Sequence, residues 1–165
     1  MAISSVAKNF RDGTLSIEDG TGSPISMTVQ YENGDFSLSG LNQSNHEINK
    51  YLDRGDFFSA RKTNQSFPSI SFTAILTDIS DGSEKCLTDV CLKQGAWAAG
   101  VSTLGANADV WCVKMTLTIE GTDFGDSSDH IITMDDVHVT SVDISEGDPD
   151  SFSISGEVLG TITMS

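Results

Sequence analysis

The final stretch of the chain sets its reading: Phe152, Ile154, Gly156, Val158, Gly160, Ile162 and Met164 alternate with Ser151, Ser153, Ser155, Glu157, Leu159, Thr161 and Thr163. A period of two with apolar side chains on one face and short hydroxyls on the other predicts one long strand of a sheet buried on a single side. A strand of that length implies that its edge is paired, inside the fold or across a subunit boundary. The same pattern recurs upstream. Leu15 and Ile17 alternate with Thr14, Ser16 and Glu18, and the Asp19-Gly20-Thr21-Gly22 turn leads to Ile25, Met27, Val29 and Tyr31. Asn33-Gly34 supplies the next turn, before Phe36 and Leu38. Ile70, Phe72, Ala74 and Leu76 form another alternating set, and Trp111, Val113, Met115, Leu117 and Ile119 a further one.

Between His130 and Ile144 the apolar phase changes twice, from Ile132 and Met134 to Val137 and Val139, then to Val142 and Ile144. Each one-residue change must be absorbed by an inserted residue, so bulges are expected there. One helix is predicted at about 81–94. Asp81 and Glu84 have capping-box spacing, Leu87, Val90, Cys91 and Gln94 trace one face, and Gly95 stands where a left-handed residue ends a helix. The small apolar run Ala96 to Gly100, with Trp97 inside it, suits close packing. From Leu41 to Pro68 there is no clean period, and the stretch at about 41–68 reads as a long loop.

With 165 residues and 38% hydrophobic content, the chain fits a single domain, 1–165, with a real core. No apolar run is long enough for a membrane-spanning helix and the start has no secretory pattern, so a cytoplasmic, unprocessed product is expected. Three cysteines, Cys86, Cys91 and Cys112, lack disulfide or zinc spacing and read as small buried hydrophobes. The net charge of −15 argues against wrapping nucleic acid as a ligand, because phosphate affinity rests on Lys and Arg.

No motif for catalysis stands out. His46, His130 and His138 are scattered, no nucleophile elbow or phosphate-cradling loop occurs, and Asp135-Asp136 beside His138 is equally explained by a bulge. Asp123, Asp126 and Asp129, and the group Asp143, Glu146, Asp148 and Asp150, lack the alternate-ligand spacing of a calcium loop. Neither a metal nor a cofactor is expected. Four of the nine basic residues, Lys50, Arg54, Arg61 and Lys62, fall within the 41–68 segment. In so acidic a chain, their complementary surface is another copy, with Asp123, Asp126 and Asp129 as candidate contacts; a head-to-tail contact of this kind propagates as a stack. The competing reading is a mixed-charge surface loop without a partner.

The run Lys8-Asn9-Phe10-Arg11-Asp12-Gly13-Thr14-Leu15-Ser16-Ile17-Glu18-Asp19-Gly20, the segment Val29 to Phe36, Tyr51-Leu52-Asp53-Arg54-Gly55 and the Glu120-Gly121-Thr122-Asp123 turn resemble tail tube proteins of long-tailed bacteriophages. The resemblance implies a mainly β, antiparallel sandwich or barrel-like domain with one flanking helix. It further implies homohexameric rings stacked into a virion tail tube, assembled in the host cytoplasm with other tail proteins, with strands contributing to an inner barrel and a long loop reaching the adjacent ring. It implies no enzymatic activity and no membrane partner. The acidic balance then suits a bore through which DNA passes without sticking, and a lysine such as Lys114 on a polar strand face would work against this. A carbohydrate-binding or adhesive sandwich module, and the tube of a contractile secretion machine, are the alternative expectations.

Overall fold

A computed structural model describes residues 13–29, 35–42, 45–121, 125 and 127–165. Ten strands and one short helix follow in the order β1 (Gly13–Glu18), β2 (Ser26–Val29), β3 (Ser37–Ser39), β4 (His46–Asp53), β5 (Asp56–Gln65), β6 (Ser69–Ile75), α1 (Leu87–Leu92), β7 (Val113–Ile119), β8 (His130–Ser145), β9 (Ser151–Val158) and β10 (Ile162–Met164). Eight strands form one antiparallel sheet in the order β2-β1-β7-β8-β9-β6-β3, with β10 continuing along the edge of β8 that β9 occupies. The other two strands, β4 and β5, form a separate hairpin.

Alternation decides which face is buried. In β7, Val113, Met115, Leu117 and Ile119 are buried while Lys114, Thr116 and Thr118 are half-exposed. Leu15 and Ile17 of β1, Ile70, Phe72 and Ala74 of β6, and Phe152, Ile154 and Val158 of β9 join the same core. Strands from both ends of the sheet thus share one interior, so the sheet is curled. A gap of about 100 Å³ between β2 and β6 is lined by Met27, Val29, Ala74 and Leu87, the last from α1. Lys85 Nζ donates to the Ser26 carbonyl across it (2.7 Å).

The opposite face carries hydroxyl rows set by the strand register. Thr28, Ser16, Thr116, Thr133 and Thr163 lie opposite one another across five strands, and Ser37, Ser71, Ser155 and Ser141 across four. Short hydroxyls at these positions keep a sheet face wettable with little charge.

Both bulges expected in β8 are present. Asp135 and Asp136 together oppose Lys114, between the Val113–Val137 and Met115–Met134 pairs, and Thr140 is the extra residue between Val139 and Ser141. The first bulge also corrects the expectation of one uninterrupted terminal strand. Opposite it, Leu159 N–H donates to the Asp136 carbonyl and Gly160 N–H to that of Asp135, so the chain breaks between β9 and β10. Gly160 is required here, because a Cβ would strike the Asp136 carboxylate and the Asp135 carbonyl.

The helix is shorter than 81–94. The Asp81 carboxylate accepts the Ser83 and Glu84 N–H groups (2.6 and 2.8 Å), which makes a turn ahead of the helix rather than its cap. The helix proper starts after Cys86 and ends at Lys93, whose φ of 53° is left-handed. Gly95, with the same φ, opens a 3-10 turn, Gly95–Trp97; a Cβ at this glycine would collide with the Asp89 carboxylate. Trp97 is fully buried, in keeping with its small neighbours.

Two buried carboxylates brace the 76–112 excursion: Asp89 ties its parts together, and Asp19, just after β1, ties it to the sheet. Asp89 is fully buried and accepts Ser80 Oγ (2.7 Å) and the Asp81 N–H (3.0 Å). Asp19, also buried, accepts Thr21 Oγ1, the Ile25 N–H and, across the fold, the Val101 N–H at 3.1 Å. Around Asp89 such bonds outweigh the desolvation of a buried carboxylate.

The largest correction concerns the long loop. Residues 41–68 hold the β4–β5 hairpin, 8 and 10 residues long. No period was visible because period two marks a strand with one buried face, and this hairpin has none: in β4 every residue after His46 is exposed. The inserted residue between Tyr51 and Leu52 pairings shifts the phase again.

Candidate assembly interface

The hairpin is built by its turn. Asp53 pairs with Asp56, and Arg54 and Gly55 between them have φ of 52° and 96°, a two-residue loop with positive φ at both positions that matches the twist of the flanking strands. Arginine at such a position is conformationally unfavourable by roughly 1–2 kcal/mol relative to the right-handed region. At the other end, the Ser66 N–H bonds the Asn45 carbonyl (2.8 Å) and Asn42 Nδ2 donates to Ser66 Oγ (3.2 Å), closing the root.

Register distributes the side chains. Ile48 faces Lys62, Lys50 faces Ala60 and Leu52 faces Phe57, so these six share one side. Asn49 with Arg61 and Tyr51 with Ser59 share the other. The four predicted cations therefore surround the hairpin rather than form one patch: Lys50 and Lys62 on the first side, Arg61 on the second and Arg54 at the apex. Among the described residues, none of the four has an ion-pair partner.

Apolar exposure is the feature that charge counting misses. Phe58 is 74%, Phe57 67% and Leu52 63% exposed, with Ile48 and Tyr51 near half. Phe58, the inserted residue, borders a depression of about 410 Å³ with Tyr51, Ser59 and Arg61. The sequence signal was the symmetry of Tyr51-Leu52 and Phe57-Phe58 about Asp53-Arg54-Gly55-Asp56. Five large apolar side chains are exposed on an element with no buried face, Ile48, Leu52 and Phe57 on one side and Tyr51 with Phe58 at the depression, the sort of exposure that marks an interaction site.

Of the acidic candidates, Asp123 and Asp126 lie outside the described residues. Asp129 is exposed and accepts the Gly121 N–H at 3.2 Å, a local turn bond. A second charged locality lies where the β8 bulge meets the end of β1: Glu18, Asp19, Lys114, Asp135, Asp136 and Thr161 border a cleft of about 490 Å³. Lys114 Nζ stands 3.8 Å from Glu18, so this lysine's charge is locally balanced. Thr161 Oγ1 donates to Asp135.

Among the described residues no three His, Cys, Asp or Glu side chains are placed to hold a metal. Cys86 and Cys112 are buried and Cys91 is half-buried, all as free thiols. Burial pushes the Cys91 thiol up to about 12, and burial with the nearby Asp136 charge pushes Cys112 up to about 11, so both stay protonated and unreactive near neutral pH. His138 Nδ1 lies 3.1 Å from the Trp111 carbonyl, a structural contact. Among the described residues no helix is long and apolar enough to cross a membrane.

No protein-family model matches the chain, and no curated protein is similar to it in sequence. Solved structures do share its fold. A chain of the sheath/tube terminator of an extracellular contractile injection system, PVC, in the extended state aligns with a TM-score of 0.61 and 13% identity over 99% of each chain. A chain of the anti-feeding prophage (AFP) baseplate aligns with a TM-score of 0.51 and 8% identity, over 100% of this chain and 97% of that one. The fold is thus one found in the components of phage-tail-like injection machines, a broader group than the tail tubes of long-tailed phages.

Proposed function

We propose that the chain is a non-catalytic structural subunit of a phage-tail-like tube. Copies form hexameric rings, the rings stack, and the acidic balance of the chain gives a bore that repels polyanions and lets DNA pass. The observation that carries this reading is the β4–β5 hairpin, which exposes both edges and both faces. A lone two-stranded hairpin is marginally stable in water, and a long apolar edge is a template for pairing with another chain. The same hairpin in neighbouring copies supplies that pairing, and a ring removes the free edges.

Tail assembly in a host cell, beside other tail proteins, is the setting this function requires. A structural component of a contractile injection system, rather than of a long-tailed virion, is the variant that the likeness to a sheath/tube terminator chain and a baseplate chain supports. Negative-stain imaging of concentrated protein tests the shared claim. Six-fold rings or tubes are expected, and a protein that stays monomeric across buffers contradicts it.

A further inference from the structure

The hairpin apex is built against local preference. Arg54 is held at φ 52°, a left-handed conformation that asparagine or glycine adopts with less strain, and it follows Asp53, which faces Asp56 as the last pair of the ladder. Two carboxylates directly opposite one another repel. An Asn-Gly turn between uncharged residues closes the same strands without either cost. Strain and repulsion gathered in four consecutive residues point to a use for their side chains.

All four residues, 53–56, are exposed, and among the described residues the side chains of Arg54 and Asp56 have no hydrogen-bond or ion-pair partner. Nothing lies within 4 Å of where a Cβ on Gly55 would stand. Guanidinium, bare backbone and carboxylate therefore follow one another as Arg54-Gly55-Asp56 at the end of strands of 8 and 10 residues, with the exposed rings of Phe57 and Phe58 next in the chain. We propose that this apex docks on a partner protein that holds a divalent cation with an open coordination position beside an acidic pocket. Asp56 completes the shell of the cation, Arg54 enters the pocket, and the two rings cover the rim. The partner is a protein of another kind, so the contact goes beyond the tube reading; it belongs to copies whose apex no neighbouring copy covers, the isolated subunit and the last ring of a stack.

Charge selects this occupant. An anionic lipid surface or a nucleic acid attracts Arg54 but repels both Asp53 and Asp56. A purely basic protein surface attracts the carboxylates and repels the guanidinium. A protein-bound divalent cation offers both signs at one place, because the carboxylates that hold it leave a negative rim around the open position. A free carboxylate is an ordinary oxygen ligand for such a cation, and the planar guanidinium fork suits the carboxylates at the rim. Gly55, between the two charged residues, has no side chain to hold the surfaces apart.

The test presents the intact chain to an immobilised integrin ectodomain of the class that binds Arg-Gly-Asp peptides, whose ligand site holds Mg²⁺, and reads binding by surface plasmon resonance. Saturable binding in Mg²⁺ that is lost in EDTA is expected. Asp56→Glu keeps the charge but displaces the carboxylate by one methylene, and Arg54→Asn removes the guanidinium while relieving the left-handed backbone; each is expected to weaken binding at least about tenfold. Asp53→Asn is expected to leave the affinity unchanged. All three positions are exposed, and thermal midpoints no lower than that of the wild type verify that the variants fold.

A wild-type chain that does not bind in Mg²⁺ overturns the proposal. Binding that survives EDTA or Asp56→Glu overturns it as well, since it would be a general charged or apolar contact, and a loss in Asp53→Asn equal to that in Asp56→Glu overturns the role given to Asp56. Negative-stain imaging of the same preparations keeps the two readings apart: rings without receptor binding retain the tube subunit and remove this contact, and receptor binding without rings does the reverse.

Discussion

The body and the hairpin of this chain solve the problem of pairing strands in opposite ways. In the body, the inward-facing apolar residues share one interior: Leu117, Met134 and Phe152 come from three different strands and are all essentially inaccessible. In the hairpin, residues of equal apolarity, Phe57 and Phe58 among them, find none. Cross-strand hydrogen bonding is present in both, so its presence does not separate them. What differs is the second layer. The curled sheet covers its own inner face, with α1 and Trp97 contributing to the core, while among the described residues no layer lies against the hairpin.

The comparison is broken most strongly by emptying the body. Phe152→Ala is expected to cost about 3–5 kcal/mol, read by urea denaturation, because a fully buried ring at the centre of the sheet leaves a cavity that the neighbouring strands cannot fill. A loss below 1 kcal/mol would mean that the core is not the continuous one described.

Asp89→Asn comes next. The substitution keeps the volume but replaces a carboxylate oxygen by an amide donor facing Ser80 Oγ and the Asp81 N–H, and a loss of about 1–3 kcal/mol is expected from the mismatched buried groups. The pH dependence has a definite sign. Desolvation raises the Asp89 carboxyl, but hydrogen bonds from Ser80, the Asp81 backbone and Gln94 outweigh it and hold the group below the usual carboxylate range. A depressed folded value means that its stabilisation is fully present above the unfolded value, about pH 4, and is lost as pH falls through the folded value. Thermal midpoints measured from pH 5 downward are expected to drop in the wild type and to drop less steeply in Asp89→Asn.

The hairpin gives smaller effects on the isolated chain. Phe57→Ser/Phe58→Ser is expected to change unfolding free energy by no more than about 0.5 kcal/mol, as exposed substitutions do. A destabilisation of 2 kcal/mol or more would place those rings against the body and end the contrast. Arg54→Asn is expected to stabilise the hairpin by about 0.5–1 kcal/mol, since asparagine tolerates the left-handed region better, seen as slower amide exchange in residues 46–65.

The body was legible in the sequence for the same reason that it is stable. One-sided burial writes period two into Val113 to Ile119, and even the two insertions in β8 could be read from phase changes between Met134 and Val137 and between Val139 and Val142. Longer-range consequences were hidden. The break after Val158 depends on a bulge in another strand, and the helix starts late because Asp81 satisfies N–H groups in a turn instead of capping. The hairpin was illegible as structure because neither of its faces is buried, yet its four cations did mark the segment. The five exposed apolar side chains that complete the candidate interface were present in the sequence as Tyr51-Leu52 and Phe57-Phe58, but apolar residues without a period do not announce whether they are buried or bare.

The central claim is that the body is complete alone while the hairpin is completed by identical copies. Amide hydrogen exchange, followed on dilute and on concentrated protein, measures both halves in one experiment. The account predicts that β7, β8 and β9 are protected in both samples and that residues 46–65 exchange rapidly when dilute and become protected on concentration. Equal exchange of residues 46–65 in the two samples, in a preparation that contains assembled particles, would contradict it.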